Sequence, residues 1–477
     1  MKLTSCFGCE ASAVVYDSRK AGEGSLFVCL RGAATDGHRF AQAAYDNGCR
    51  DFAVEYLLSL PEDARQYRFD DTRAALADIS AEFYGYPSER LHLIGVTGTK
   101  GKTSTAFYLR AILNQAGRRC GMIGTLGVFY GEGEAREATV NSTPESCELH
   151  RIFADMVNDG CEYCVMEVSS QAYKCGRVRG LHFDCGIFTN LSPDHIGPAE
   201  HESYEDYRAC KAELFAHSRL SILNADDEAC DFMRRAAAGT VVDYSQKAAA
   251  YYRSRNLKPW RDETGMGSAF ACIGGHFRLP SPGEYSVYNA LAATAAAREI
   301  GVTWRDIAKA FESAVVPGRF EIVPAKEGVM AVIDYAHNEL SLRSILTALR
   351  PYTEGRLIVV FGSVGGKAEI RREGLGRAAA ELADYAVITS DNPDFESPEA
   401  IMADIEKGIG DAPHTCIADR EKAIAFALEL AKSGDTLLFA GKGHEDYQIV
   451  KGQHIPFCEK ELIAKYSAAA SAAGALV

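Results

Sequence analysis

The chain has no stretch of about 18 apolar residues, so no membrane-spanning helix is expected. Its first twenty residues, MKLTSCFGCEASAVVYDSRK, hold no sustained apolar segment of signal-peptide length, and a cytoplasmic location is the expectation. Low-complexity tracts are missing as well. A content of 47% hydrophobic and 24% charged residues is that of a soluble globular protein. Positive charge is in deficit: 51 Lys and Arg against 65 Asp and Glu leave a net charge of -14, which opposes adhesion to nucleic acid or to an anionic membrane. Neither is expected as a partner, and any phosphate bound must be held by local groups. The fifteen cysteines are spread singly, mostly inside apolar runs, where a reduced thiol acts as a small hydrophobe and no disulfide framework follows. Two C-x-x-C pairs, Cys6/Cys9 and Cys161/Cys164, have no histidine pair at zinc-finger spacing, and core cysteines are expected there.

What is present is length and alternation. At roughly 150 residues per domain, the 477 residues suggest about three domains. Residues 1–88 mix short β-like runs (25–30 and 51–55) with helical ones and end at the Pro-containing break YGYPSER, which predicts a small α/β domain. Residues 89–317 alternate strands and helices, and the apolar runs CEYCVMEVSS and FDCGIFTNLSPDH each end in polar residues. This is the texture of a parallel sheet covered by helices, whose ligands gather at the carboxyl ends of strands. Glu167, Ser169, Ser170, Asn190, Asp194 and His195 fall at such ends. Pro317-Gly318 breaks the pattern. Over 318–477, four strand candidates (VMAVIDYAH, RLIVVFG, ADYAVITSDNP and DTLLFAGKG) predict a Rossmann-like domain without a further G-x-G-x-x-G. The alanine-rich last 15 residues are read as a surface helix or frayed tail.

The stretch LIGVTGTKGKTSTAFYLRAIL (93–113) runs from apolar strand through glycine-rich turn to amphipathic helix. A strict phosphate-binding loop, G-x-x-x-x-G-K-[ST], needs glycine at 96, where valine stands; Gly98 supplies a compact form instead. The mechanics survive. Glycines let backbone N–H groups curl around phosphate, the helix points its positive end at it, Lys102 adds a charge, and Thr103 offers a hydroxyl to magnesium. Taken singly, a Glu after an apolar run is more often a solvated strand end and a helical Lys a surface charge.

The ordered set GTKGKTST, NSTPES, MEVSSQ, FTNLSPDHIG, YRACKAELF, YNALAA, VPGRFE, DYAH, TSDNPDFESP and AGKGHEDYQ, preceded by VYDSRK and GSLFVCLRG, resembles the Mur ligases. Within them it looks most like the MurE type, which adds the third amino acid of the peptidoglycan stem peptide. That resemblance implies three α/β domains and an ATP-dependent amide ligase, cytoplasmic and monomeric, joining a free diamino acid to a UDP-N-acetylmuramoyl-dipeptide. The loop Gly98, Thr99, Lys100, Gly101, Lys102, Thr103 and Ser104 would hold ATP. Asn289, Arg319 and Asp334 match the adenine, phosphate and ribose contacts, with His337 nearby. Two Mg2+ sites are implied, one shared by Thr103 and Glu167, the other at His195. Lys211 matches a family lysine that carbon dioxide carbamylates into a carboxylate-like ligand. Ser18 matches a uridine contact, and Asn141, Ser142, Thr143, Ser169 and Arg177 match residues that hold the muramoyl-peptide. Closure bringing Arg319 and Asp334 to the nucleotide is part of the same implication.

Several positions depart from the family pattern. Lys100 stands for an Asn, Gln171 for a His, and Cys175 for a Gln. Asp391, Asn392, Gly441 and Glu445 match the amino-acid site, and Lys367 stands where an Arg is usual. Enzymes of this type that add meso-diaminopimelate carry D-N-P-R, whose Arg grips the distal carboxylate; here the fourth residue is Asp394. An anion there repels that carboxylate and favours a side chain ending in ammonium, so L-lysine is the expectation. Meso-diaminopimelate and ornithine are the alternatives. Asp394 has a second reading as a cap of the following helix. Rival functions are a folylpolyglutamate synthetase, against which VYDSRK and GKGHEDYQ speak, a P-loop kinase, which leaves Lys211 unexplained, and a nucleotide-binding regulator.

Overall fold

A computed structural model of the chain describes residues 2–3, 9–32, 35–193, 196–197, 200–262, 265–366 and 369–474. They divide into two compact units, one built from 1–255, 272–275 and 288–310, the other from 256–271, 276–287 and 311–477. Among the described residues no helix is long and apolar enough to cross a membrane.

The first unit opens with four parallel strands in sequential order, Ala13–Val15, Ser25–Val28, Asp51–Val54 and Arg65–Arg68. Side chains alternate between faces. Leu26, Val28 and Ala53 pack with Leu76 and Ile79 of the helix Thr72–Phe83, while Phe27, Phe52 and Val54 pack with Ala41 and Ala44. The larger sheet of this unit orders its parallel strands as Thr240–Ser245, Ser218–Asn224, Phe183–Phe188, His92–Thr97, Tyr163–Glu167 and Cys120–Gly124, with Gly127–Phe129 antiparallel at the end. The chain starts in the middle, at His92–Thr97, moves out to one side, and then continues on the other. Order therefore reverses beside this first strand, and a ligand crevice is expected outside its carboxyl end. Cys161 and Cys164 lie in the core of this sheet, as expected; Cys6 lies outside the described residues.

The second unit carries a six-stranded sheet ordered Glu321–Val323, Met330–Asp334, Thr436–Ala440, Leu357–Phe361, Tyr385–Ile388 and His414–Cys416. Only its first strand runs antiparallel. The four apolar runs read from the sequence are the four inner strands. The edge strands have three residues each, too few for a hydrophobic pattern to show. Helices cover both faces, and the alanine-rich tail forms the end of the helix Glu459–Gly474.

A buried ion pair fixes the carboxyl ends of two strands in this sheet. Arg420 and Glu459 are both within 1% of full burial; Arg420 Nε donates to Glu459 at 2.8 Å, and its terminal nitrogens donate to the carbonyls of Ser390 and Ala440. Removing the cation strands a buried carboxylate. Arg420→Ala is expected to destabilise the fold by about 3–5 kcal/mol, read as a lower urea midpoint.

Candidate active site

The strand His92–Thr97 delivers its chain into a loop stitched to the next strand end. Lys100 N donates to Asn190 Oδ1 at 3.0 Å, Asn190 Nδ2 returns a bond to the Lys100 carbonyl at 2.9 Å, and Thr189 Oγ1 reaches the same carbonyl at 2.7 Å. Gly101, at φ 87°, enters the helix Lys102–Gln115 in the left-handed region, and a Cβ there would run into Asn289 Oδ1. Only glycine meets both conditions without strain. Asn289, matched to an adenine contact, thus borders the loop.

Glu167 ends its strand 1% exposed. Its Oε1 accepts the Thr103 hydroxyl at 2.9 Å and the Thr125 amide at 2.8 Å, and Oε2 accepts the Thr125 hydroxyl at 3.3 Å. Gly124 is glycine because any side chain would occupy the place of this carboxylate. Thr103 and Glu167 are hard oxygen donors side by side, a set that suits Mg2+. Lys211 is a buried residue of the helix Tyr204–Ala216, not a surface charge. Its ammonium donates to the Gly98 carbonyl at 2.9 Å and sits 4.6 Å from the Tyr207 ring centre, one helical turn away. Lys102 Nζ donates to the same carbonyl at 2.8 Å. As an ammonium Lys211 has no lone pair for a metal; as a carbamate it would present oxygens. His195 and Asp194 lie outside the described residues.

The residues matched to the peptide acceptor adjoin Glu167. Thr143 Oγ1 donates to the Glu167 carbonyl at 2.9 Å and lies 3.2 Å from Ser169 Oγ. Arg177 donates to Glu145 at 3.0 Å and to the Thr143 carbonyl at 3.2 Å. Arg73 meets the other Glu145 oxygen at 3.3 Å, and Tyr16 donates to Glu148 at 3.1 Å. These bonds join the first sheet to the acceptor segment, with Ser18 opening a 3-10 turn two residues beyond Tyr16. Asn141 is exposed and Ser142 half-buried. Sequence reasoning passed over Thr125, Tyr207 and His201. Of these only Tyr207 carried a signal, its four-residue spacing from Lys211 on one helix face. His201 is buried with Ser170 Oγ at 2.8 Å on one ring nitrogen and Asp206 at 2.9 Å on the other.

In the second unit, polar strand ends also converge. Asn392 Nδ2 donates to Glu445 at 3.0 Å, buried Lys442 donates to Asn392 Oδ1 at 2.9 Å and to Glu445 at 2.7 Å, and Tyr335 donates to Glu445 at 3.1 Å. Burial draws the Glu445 carboxyl upward, but the Lys442 ammonium and these hydrogen bonds outweigh it and hold the group below its ordinary range. Asp391 is buried with Oδ1 3.6 Å from Lys442 Nζ and no hydrogen bond to that oxygen; burial raises it, against the opposing pull of Arg420 and Lys442. Asp334 accepts the Phe320 amide at 2.8 Å, and its carbonyl accepts from Gly441. Burial raises its carboxyl, with Arg319 opposing. The Arg319 guanidinium lies 4.4 Å from the Tyr335 ring centre, and His337 Nδ1 is 2.8 Å from the Tyr335 carbonyl. Lys367 lies outside the described residues.

Asp394 does not cap the next helix, whose N-cap is Ser397. It adopts φ 52°, and its carboxylate accepts the backbone N–H of Gly452 at 2.7 Å, at the turn of the hairpin Tyr447–Val450 and Gln453–Pro456. A cavity of about 910 Å3 opens at the opposite, amino ends of the first unit's strands, among Leu91, His182, Phe183, Ser218 and Thr240. It touches none of the residues above.

Three family descriptions match successive stretches: "Mur ligase family, catalytic domain" over residues 10–84, "Mur ligase middle domain" over 96–297, and "Mur ligase, glutamate ligase domain" over 318–443. The chain is 39% identical over 460 residues to the UDP-N-acetylmuramoyl-L-alanyl-D-glutamate–2,6-diaminopimelate ligase of Clostridium botulinum, covering 95% of this chain and 94% of the relative. It is 38% identical over 457 residues to the ligase of the same name from Caldanaerobacter subterraneus, at 95% and 94% coverage. A solved structure described by that same ligase name matches with a TM-score of 0.67 at 27% identity, covering 97% of this chain and 95% of that one.

Two outcomes follow from the geometry. Gly101→Ala drives a methyl into Asn289 and is expected to weaken ATP binding about tenfold, or roughly 1.4 kcal/mol, in a calorimetric titration of the folded variant. His444 is held at about 4 by burial, with Arg319 adding to the effect. Its folded value is thus below its unfolded one, so the stability it contributes is complete above about pH 6.5 and is lost as pH falls toward 4. A profile of Tm against pH should fall over that window, and less so in His444→Gln.

Proposed function

The chain belongs to the Mur ligase family and is an ATP-dependent carbon–nitrogen ligase, and from that premise we propose that it adds a diamino acid to UDP-N-acetylmuramoyl-L-alanyl-D-glutamate in peptidoglycan synthesis. The observation that carries this reading is the shared use of Glu167. Its carboxylate joins Thr103 of the phosphate loop, while its carbonyl holds Thr143 of the acceptor segment. That both segments meet at one strand end supports the reading, since phosphoryl transfer needs nucleotide and acceptor side by side.

In this reading the terminal carboxylate of the dipeptide attacks the γ-phosphorus of ATP, the β–γ bridging bond breaks, and ADP leaves. The amine then attacks the acyl phosphate and expels inorganic phosphate through a tetrahedral centre. The loop amides and Lys102 neutralise the charge that gathers on the phosphates. Thr103 and Glu167 hold Mg2+, which supplies further charge neutralisation when bound. Lys211 reacts as the free amine with carbon dioxide; an N–C bond forms, a proton departs, and the cation becomes an anion beside the loop. Arg177 and Thr143 orient the acceptor, and Ser18 contacts the uridine end. Arg319, Asp334, His337 and Asn289 serve the nucleotide. In the second unit, Glu445, Asp391 and Asn392 receive the amino acid, the carboxylates drawing its ammonium groups. A domain division at 88/89 and 317/318, a cytoplasmic location and a monomeric state belong to the same proposal.

For the amino acid, meso-diaminopimelate is the first reading. Relatives matched over nearly the whole chain carry 2,6-diaminopimelate in their names, which moves the expectation away from L-lysine. The hydrogen bond from Gly452 to Asp394 gives that carboxylate a structural task of its own. L-lysine stays as the second reading because an acid stands at 394.

The test is phosphate release with ATP and UDP-N-acetylmuramoyl-L-alanyl-D-glutamate, comparing meso-diaminopimelate, L-lysine and L-ornithine. Turnover should need both acceptor and amino acid and be fastest with meso-diaminopimelate. Preference for lysine would reinstate the second reading, and no acceptor-dependent turnover would end the ligase assignment. Lys211→Ala should lose activity and regain part of it with a small carboxylic acid; full activity without rescue would remove the carbamate.

A further inference from the structure

We propose that Glu406, His414 and Cys416 form a surface site for a divalent cation of borderline softness, with zinc as the best fit. None of the three takes part in the ligase chemistry above. His414 and Cys416 are two apart on the edge strand His414–Cys416 and therefore point to one face of the sheet. In parallel register they lie beside Ala386 and Ile388, whose face is covered by Ile401, Met402 and Ile405 of the helix Pro398–Ile409. Glu406 belongs to the same helix. Its carboxylate, the imidazole and the thiol bring one ligand atom each to within 4.8 Å of one another. Glu406 and Cys416 are exposed and His414 is half-buried, so an ion can enter from solvent.

The orientation of the imidazole favours a cation. His414 Nδ1 lies 2.8 Å from the Ala412 carbonyl, which accepts its proton. The Nε2 lone pair then faces a Glu406 oxygen at 3.2 Å. A metal ion entering between them would take the imidazole lone pair and the carboxylate oxygen together. A backbone carbonyl that fixes the tautomer from behind is the usual support of a metal-binding histidine. The 3.2 Å between Glu406 and His414 suits zinc. Donors about 2.0 Å from a tetrahedral ion stand about 3.3 Å apart. Mixed carboxylate, imidazole and thiolate donors select zinc over magnesium or calcium, leaving a fourth position for water. Coordination forms the metal–sulfur bond and releases the Cys416 proton to solvent.

Binding there ties the helix Pro398–Ile409 to the edge strand, so the ion should stabilise the second unit. Full-length protein titrated with Co2+ should develop a thiolate-to-cobalt absorption band, and Zn2+ should raise Tm where Mg2+ does not. Cys416→Ser should abolish the band. His414→Ala should weaken Zn2+ binding about tenfold or more by calorimetry, and both variants, altered at accessible side chains, should keep the wild-type circular dichroism spectrum. No band and no Tm rise in the wild type would overturn the site. A band of undiminished intensity in Cys416→Ser would do the same by assigning the ion to other thiols, such as the Cys6/Cys9 pair.

Discussion

The first unit turns on a carboxylate placed where no water competes for it. Glu167 receives the hydroxyl of Thr103 and both donors of Thr125, and Gly124 is kept bare to make room. A buried acid without such donors would be costly; with them its oxygens are satisfied beside the start of the helix Lys102–Gln115. Around it the Thr143 hydroxyl secures the acceptor segment and Arg177 closes on Glu145. Thr103 of the glycine-rich loop, Glu167, Thr143, Arg177 and Glu145 are therefore one hydrogen-bonded assembly, not separate neighbours.

A second constraint is the shared carbonyl of Gly98. Two lysines, Lys102 and Lys211, donate to it from different helices. Like charges placed so close oppose each other, and the Tyr207 face beneath Lys211 supplies part of the compensation. Converting one of them to an anion would exchange repulsion for attraction across the loop. That is the electrostatic rationale for the carbamate proposed at Lys211.

Legibility followed the range of the interactions. The loop could be read because its glycines, lysine and threonine act through local geometry within six residues. The four inner strands of the second unit were legible through unbroken apolar runs, whereas three-residue edges such as His414–Cys416 carry no period to detect. Lys211, bland when taken alone, was singled out only through the ordered motifs, whereas Glu167 was also marked by its place at a strand end. Their burial came from partners 64 and 113 residues away, which no window can see. Gly124 and Thr125 were missed for the same reason, since their role exists only once Tyr163–Glu167 pairs beside Cys120–Gly124. At Asp394 the sequence showed an anion and offered substrate or helix cap as its task. The hairpin it anchors lies 58 residues on.

That anchor ties the identity of residue 394 to the shape of its own backbone. At φ 52° the backbone occupies a region that Asp tolerates through local hydrogen bonding and that most other residues enter at a cost of about 1–2 kcal/mol. An arginine introduced there would lose the bond to Gly452 and inherit the strain. Exchanging the side chain at 394 is thus never a local change, because the turn of a hairpin 58 residues away loses its anchor with it.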